Sequence, residues 1–424
     1  MIGLRNQREP AFDEAGPSIP PSALYIHVPL CASKCSYCDF FSVPTASLFE
    51  DHDERLISAT LQRAGALAER FASSRIATAY IGGGTPTTLS PELFDRLLGG
   101  VEALALDIGA SRPEEWTVEA NPDSLADEHI DSMLEHGVTR ISIGVQSLKP
   151  EELRILGRRH APEAALGAIE KAAASGLAVS ADLIAGIPAE PDEVAGTDDI
   201  GRLGEYASKI LDAGATHLSV YDLTLEDGSP LAARRRELSF PDEDRAWEAR
   251  LVLESTLGRM GLRRYEVSNY AASGRECLHN LAYWHLDSYI GAGPSAVSTL
   301  VLREGRSLRI EEGRSIEGYG PDEALETEIG VRDSMLESIM MAFRTSFGLD
   351  EGHFARRFGI DVREVIGESL STWAERLAPG EPWPGRSESR GLALDSRGLD
   401  LLNRFLGDCL SELDSHQFRG KEEA

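Results

Sequence analysis

The chain has 424 residues, is 42% hydrophobic and carries a formal net charge of −28, from 42 Lys and Arg against 70 Asp and Glu. That length exceeds one small core and fits a large domain of roughly 250 residues with a smaller one, and the hydrophobic share is that of an ordinary globular chain. The acidity argues against a binder of nucleic-acid phosphates, which needs dense Lys and Arg on one face; five cysteines, three of them in one short stretch, are no disulfide framework and suit a reducing interior.

Residues 1–22 mix charges with Pro and Gly and hold no apolar run long enough for a signal peptide or a membrane span. They are expected to be a disordered lead-in, and the protein cytoplasmic. Short β-branched runs then alternate with helical patterns: Leu24–Val28, Thr78–Ile81, Trp116–Ala120, Arg140–Val145, Ala178–Ile184 and His217–Leu223. The alternation predicts an α/β fold of βα units around a parallel sheet, and six strands suffice for a partial (β/α)6 barrel. Between the first two strands Ile57, Leu61, Ala64, Ala68 and Phe71 fall on one helical stripe. The next helix opens with Ser90 as N-cap and Pro91 in its first turn, then turns Phe94, Leu97, Leu98 and Val101 inward. Another is expected over Ser124–Glu135, stopped by Gly137.

Each strand delivers unusual residues at its carboxyl end, where parallel α/β folds gather their chemistry. Strand one runs into Cys31-x-x-x-Cys35-x-x-Cys38. Three thiolates suit a [4Fe-4S] cube, which normally takes one per iron, and leave one iron open to a small ligand. A zinc site is the alternative, although structural zinc asks for four ligands and only His27 lies near; three packing cysteines are another. Strand two runs into Gly82-Gly83-Gly84-Thr85-Pro86, whose backbone can approach a ligand and offer it N–H groups, or which serves only as a tight turn. No Gly-Lys-Ser/Thr follows, so it is not a phosphate loop. Strand three ends in Glu119-Ala120-Asn121-Pro122 and strand four in Gly144-Val145-Gln146-Ser147. Strand five carries Asp182 into Gly186-Ile187-Pro188, and strand six presents Tyr221 and Asp222. By residue type alone Glu119, Gln146, Arg158 and Asp182 are polar groups that close strands or cap helices.

The barrel is expected over residues 23–240, with an extension over 241–330 that includes the glycine-rich return strand Gly291–Ser298 near the barrel mouth. From about residue 330 the pattern turns helical. Met335, Ile339, Ala342 and Phe343 share a stripe, and further helices are expected over Asp361–Leu377 and Asp400–Leu413, separated by a proline-rich break at Pro379–Pro384. With a short hairpin at Gly391–Leu394, residues 331–418 read as a winged-helix-like module. Its helices carry acidic residues freely, which favours a lid or partner surface over a nucleic-acid reader. Residues 419–424 are expected to be a disordered tail.

The cysteine spacing, with Tyr37 just before the third cysteine, resembles the radical S-adenosylmethionine (SAM) superfamily. The resemblance implies that Cys31, Cys35 and Cys38 hold a [4Fe-4S] cluster whose open iron takes the amino and carboxylate groups of SAM, and that its reduction cleaves the sulfonium to a 5′-deoxyadenosyl radical. It further implies that Tyr37 packs near the adenine, that Gly83, Gly84 and Thr85 hold the amino group, and that Tyr25, Glu119, Gln146, Arg158 and Asp182 complete the SAM site. A carboxylate can bind ribose hydroxyls and an arginine can pair with the methionine carboxylate.

Four further segments, Asp182–Pro188, Leu218–Thr224, Tyr265–Ala271 and His279–Trp284, extend the resemblance over about residues 23–350, to the coproporphyrinogen-dehydrogenase-like branch and its haem chaperones. His279-Asn280-x-x-Tyr283-Trp284 resembles the motif associated with haem in those chaperones, which makes His279, Asn280, Tyr283 and Trp284 haem contacts by resemblance. A histidine beside aromatics is otherwise more often a hydrogen-bonded core residue. Cys277 is of a type that ligates haem iron, but Cys-x-His spacing arises easily by chance. Two departures separate the chain from the dehydrogenase itself: Phe40 stands where that enzyme has a fourth cysteine, and the first 22 residues are too short for its substrate-positioning extension. The resemblance therefore implies a chaperone that delivers haem to respiratory acceptor proteins, with a flavodoxin or ferredoxin as reductant and a homodimer as its assembly. The alternatives are an oxygen-independent coproporphyrinogen III dehydrogenase and a metal-stabilised binding scaffold without SAM chemistry.

Overall fold

A computed structural model describes residues 16–47, 51–190, 199–384 and 390–415; most of the expected lead-in and the expected tail at 419–424 lie outside them. Six strands, β1 (Ala23–Val28), β2 (Thr78–Gly83), β3 (Glu115–Ala120), β4 (Arg140–Gln146), β5 (Ala178–Ala185) and β6 (His217–Asp222), pair in parallel in chain order. These are the strands the sequence predicts, within a residue or two, and they build the α/β partial barrel. The sheet does not stop there. β7 (Leu262–Arg264), β8 (Asn269–Ala272), β9 (Tyr289–Ala292), β10 (Val297–Val301), β11 (Ser307–Glu311) and β12 (Leu325–Ile329) extend it to twelve strands in the order β12-β11-β10-β9-β1-β2-β3-β4-β5-β6-β8-β7. The expected return strand is two: β9 runs parallel to β1, and β10 turns back antiparallel to it.

Side-chain alternation sorts the sheet into two faces. Leu24, Ile26 and Val28 on β1, Trp116 and Val118 on β3, Ile141 and Ile143 on β4, and Val179, Ala181 and Leu183 on β5 join the surrounding helices in one apolar core. The helix His52–Arg70 contributes Ile57, Ala64 and Ala68 to it, and the helix Pro91–Gly109 contributes Phe94, Leu97, Leu98 and Val101. The alternate positions are polar: Tyr25, Thr78, Tyr80, Glu115, Glu119, Arg140, Asp182 and His217. The barrel interior is therefore a column of titratable side chains, which an ordinary doubly covered parallel sheet does not have.

Local chemistry sets the helix ends. Ser90 Oγ accepts from the Leu93 N–H at 3.2 Å with Pro91 in the first turn, as predicted. The third helix starts at Asp127 rather than Ser124 and is closed by Gly137 at φ +84°. Ser124 is held in the preceding turn, its hydroxyl 2.7 Å from Thr87 Oγ1 and its N–H bonded to Asn121 O.

The carboxyl-terminal unit has its own core, with Met335 and Ile339 from the helix Val331–Ala342 and its C-cap Phe343 meeting Phe354, Val365, Trp373 and Phe405. The helix expected over 361–377 ends at Thr372, and the last one runs Leu402–Ser415. The expected proline break is in large part strand. Leu377–Pro382 pairs antiparallel with Arg390–Leu394, with a register shift between Pro379 and Pro382. A two-stranded ribbon has edges on both sides, where a missing proline N–H leaves no ladder partner unmatched.

Candidate functional site

The carboxyl ends of β1 to β6 surround a cavity of about 400 Å³. Its wall includes Cys31, Cys35 and Cys38 from the loop after β1, Tyr37 within that loop, and Gly83, Gly84 and Thr85 from the turn after β2. Glu119, Asn121, Gln146, Arg158 and Asp182 join it from the next three βα units, and Tyr221 and Asp222 from the end of β6. Every sequence-predicted cluster and SAM residue lines this one cavity except Tyr25. Tyr25 stands deeper on β1, its hydroxyl 2.9 Å from His27 Nδ1 and its ring against Tyr80.

The cysteine loop is tied to the barrel from both sides. Ser36 donates its N–H to Leu156 O and its hydroxyl to Ile155 O at 2.7 Å, so the helix Pro150–Leu156 holds the centre of the loop. The glycine turn holds its start: Gly84 N–H donates to Val28 O and Thr85 N–H to Leu30 O, one residue before Cys31. Thr85 Oγ1 lies 3.8 Å from Cys31 Sγ, and Arg158 Nη1 lies 3.5 Å from Cys35 Sγ. Partial burial raises the thiol pKa values of Cys31 and Cys38 above the ordinary value. Thiols held this way ionise when a metal binds them.

Beside the thiols, polar groups converge. Asn121 donates Nδ2 to Thr85 Oγ1 at 2.9 Å and accepts from Arg158 Nη2 at 2.6 Å; Arg158 also donates to Gly144 O. A side chain at Gly144 would sit 2.9 to 3.0 Å from Asn121, Arg158 and Gln146, so glycine there lets the three meet. Gln146 reaches the cavity through a left-handed backbone (φ +67°) at a bulge in β4. Glu119 accepts from Tyr80 Oη at 2.8 Å and from Gly83 N–H at 3.0 Å. Burial pushes its carboxyl pKa up to about 7 against those two bonds, and Asp182 adds repulsion. Asp182 is itself raised by burial, while Ser219 and Ser142 hydrogen bonds oppose the rise. Two carboxylates, a guanidinium and three thiols thus line one cavity.

Sequence reasoning places Asn121 at a strand end without giving it a role; it is the residue that joins Thr85 to Arg158. Tyr80 reads in the sequence only as a strand residue, although its even spacing from Thr78 and Gly82 puts it on the interior face.

His279, Asn280, Tyr283 and Trp284 lie elsewhere. The helix Leu278–Trp284 packs at the amino-terminal end of the barrel, opposite the cysteines: the His279 N–H donates to Glu115, the first residue of β3, and its Nδ1 is 2.9 Å from the hydroxyl of Thr78, the first residue of β2. Its Nε2 is 2.8 Å from Tyr283 Oη, and the side chain is fully buried. Both ring nitrogens are thus engaged inside the protein. Burial holds the imidazole neutral, with its pKa down to about 3. Trp284 packs at the edge of the cluster of Tyr265, Leu281, Phe347 and Trp383, and Asn280 is half-buried. Cys277 is buried beside Glu115, where burial pushes its thiol up to about 12.

Residues 25–200 match the Radical SAM superfamily domain and residues 331–378 the HemN C-terminal domain. The heme chaperone HemW of Escherichia coli (strain K12) is 36% identical over 335 residues, spanning 77% of this chain and 83% of that protein. The chain belongs to the HemW family. The radical S-adenosyl methionine domain-containing protein 1, mitochondrial, of Mus musculus is 32% identical over 429 residues and covers 96% of this chain and 92% of its own length. The fold is that of the coproporphyrinogen III oxidase HemN of E. coli, with a TM-score of 0.71 over 92% of this chain and 90% of that one at 17% identity. No described helix is long and apolar enough to cross a membrane.

Proposed function

We propose that this protein is a cytoplasmic haem chaperone that holds a [4Fe-4S] cluster on Cys31, Cys35 and Cys38, binds SAM beside it, and passes haem to respiratory acceptor proteins. The observation that carries the reading is the convergence of three thiols with Gly83, Thr85, Glu119, Arg158 and Asp182 around one cavity of about 400 Å³. The donor set suits the group: three sulfurs line the cavity with Arg158 beside Cys35, and the carboxylates of Glu119 and Asp182 line the same cavity. When bound, the cluster supplies an electron to the SAM sulfonium. The chain's own residues bind and orient. Thr85 and Arg158 place polar hydrogens toward Cys31 and Cys35, which stabilises thiolate charge. Glu119 accepts ribose hydroxyls, Arg158 pairs with the methionine carboxylate, and Tyr37 covers the adenine.

Two features favour the chaperone over the dehydrogenase: relatives 36% and 34% identical over 77% and 82% of this chain bear the chaperone's name, and Phe40, 69% exposed, stands where the dehydrogenase has a further cysteine. Haem is the cargo, a flavodoxin or ferredoxin the electron donor and a homodimer the working assembly. The test is anaerobic reconstitution followed by iron and acid-labile sulfide analysis, SAM titration and haem titration read at the Soret band. The expected result is four irons and four sulfides per chain with binding of both ligands. Catalytic conversion of coproporphyrinogen III to protoporphyrinogen would instead make the protein the dehydrogenase. One zinc and no sulfide would leave only a metal-stabilised scaffold.

A further inference from the structure

The residues of the His-Asn-x-x-Tyr-Trp helix do not end at the barrel floor. The His279 imidazole, fixed between Thr78 Oγ1 and Tyr283 Oη, lies against the ring of Tyr80 with centroids 5.3 Å apart. Tyr80 spends its hydroxyl on Glu119 Oε1 at 2.8 Å, and Glu119 Oε2 takes the Gly83 N–H at 3.0 Å. The chain of contacts is continuous through the barrel interior, from the amino ends of β2 and β3 to the glycine turn at their carboxyl ends. There is little slack in it. A Cβ on Gly82 would stand 2.5 to 2.8 Å from the Glu119 carboxyl, so the carboxylate is pressed against the backbone of the turn. The ring nitrogens of His279 are both occupied within the protein, and among the described residues this helix contributes nothing to the wall of the cavity.

We propose that His279 and Tyr80 are positioning residues for the SAM site: the imidazole sets the Tyr80 ring, and the Tyr80 hydroxyl sets the orientation and ionisation of Glu119. The inference rests on the reading of the cavity as a SAM site. Tyr80 donates to the charged form of Glu119, so it favours the carboxylate that ribose hydroxyls require. The groups that face Glu119 are Tyr25 from β1, Tyr80 and the Gly83 N–H from β2, Asp182 from β5 and Tyr221 from β6, with His27 beyond Gly83. Among them Tyr80 makes the one side-chain hydrogen bond to Glu119 that opposes burial and the repulsion from Asp182.

The experiment is calorimetric SAM titration of the anaerobically reconstituted full chain at pH 6.5 and 8.5, for wild type, Tyr80→Phe and His279→Gln, with iron and sulfide measured in each sample. Loss of the Tyr80 bond raises the pKa of Glu119, so Tyr80→Phe is expected to bind SAM about ten-fold more weakly at pH 6.5, with the gap closing toward pH 8.5. His279→Gln is expected to move the profile in the same direction by a smaller factor. A loss equal at both pH values, or none in Tyr80→Phe at full cluster content, overturns the proposal. So does a His279→Gln protein that loses its haem Soret band while its SAM profile stays that of wild type, because the motif then serves haem directly. Failure of the cluster-loaded wild type to bind SAM at either pH is a distinct result: it removes the SAM reading of the cavity, and this inference falls with it.

Discussion

Gly84→Ala tests how the cysteine loop is held. An added Cβ at Gly84 would lie 2.5 Å from Leu30 O, 2.6 Å from Val28 O and 2.7 Å from Leu30 N. All three are backbone atoms, so no side chain can swing away. The backbone must part by several tenths of an ångström, and the segment that moves is Val28–Leu30, which leads directly into Cys31. The same shift strains the hydrogen bonds from Gly84 N to Val28 O (2.9 Å) and from Thr85 N to Leu30 O (2.6 Å). Overpacking of this kind costs about 1–3 kcal/mol, and the strained backbone bonds place this site at the upper end, about 2–3 kcal/mol. At roughly 2–4 °C per kcal/mol for a domain of this size class, the melting temperature should fall by several degrees. The assay pairs thermal unfolding with iron and sulfide content after reconstitution. Gly167→Ala is the control. Nothing lies within 4 Å of a Cβ there, and the position is inside the helix Pro162–Ala174, so alanine should stabilise by up to about 1 kcal/mol and leave cluster loading unchanged. A Gly84→Ala protein that melts with the wild type and loads a full cluster would refute the argument that this turn fixes the cysteine loop.

Replacing Cys31, Cys35 or Cys38 by Ala should abolish the brown chromophore, whereas Cys409→Ala, in the carboxyl-terminal core, should keep it; full iron and sulfide in Cys35→Ala would show that the ligands are others. Phe343→Ala removes a fully buried ring that meets Phe405 at 4.7 Å and should cost about 3–5 kcal/mol, read by denaturant unfolding; a loss below about 1 kcal/mol would mean that this core is loosely packed. Glu266 is 1% exposed, and burial raises its pKa to about 7. A carboxyl raised in the folded state adds stability below its unfolded value, near 4.5, and that stability is lost as the pH rises through about 7. Glu266→Gln should therefore shrink the difference in unfolding free energy between pH 5 and pH 8, and an unchanged difference would assign the pH dependence to other groups.

Much of the site was legible because it depends on short-range order. A parallel strand must end where its apolar alternation ends, and the residues just beyond that end fall on the open face of the barrel. The cysteine triplet, the glycine turn, Glu119 and Gln146 lie at or just past strand ends, so the six strands alone collected them, while Asp182 stands inside β5, three residues before its end. Arg158 is the instructive exception. It comes after a helix, and only family resemblance singled it out; its bonds to Asn121, Gly144 and Cys35 exist because the turn after Leu156 comes back over the end of β4. The prolines at 379 and 382 misled for a related reason. Their penalty in a strand depends on whether a neighbour needs the N–H, and that is settled by the partner strand.

The sequence by itself determined the positions of the six parallel strands, the loop that carries the thiols and the turn to helices after about residue 330, because each arises from periodicity and turn chemistry over a few residues. Tertiary structure alone decided where the helix Leu278–Trp284 docks. His279 and Cys31 are both close to a strand in sequence, yet one seals the floor and the other opens on the mouth. The difference arises because β9 pairs with β1 across more than 260 residues of chain, and no local pattern records a register set by so distant a partner.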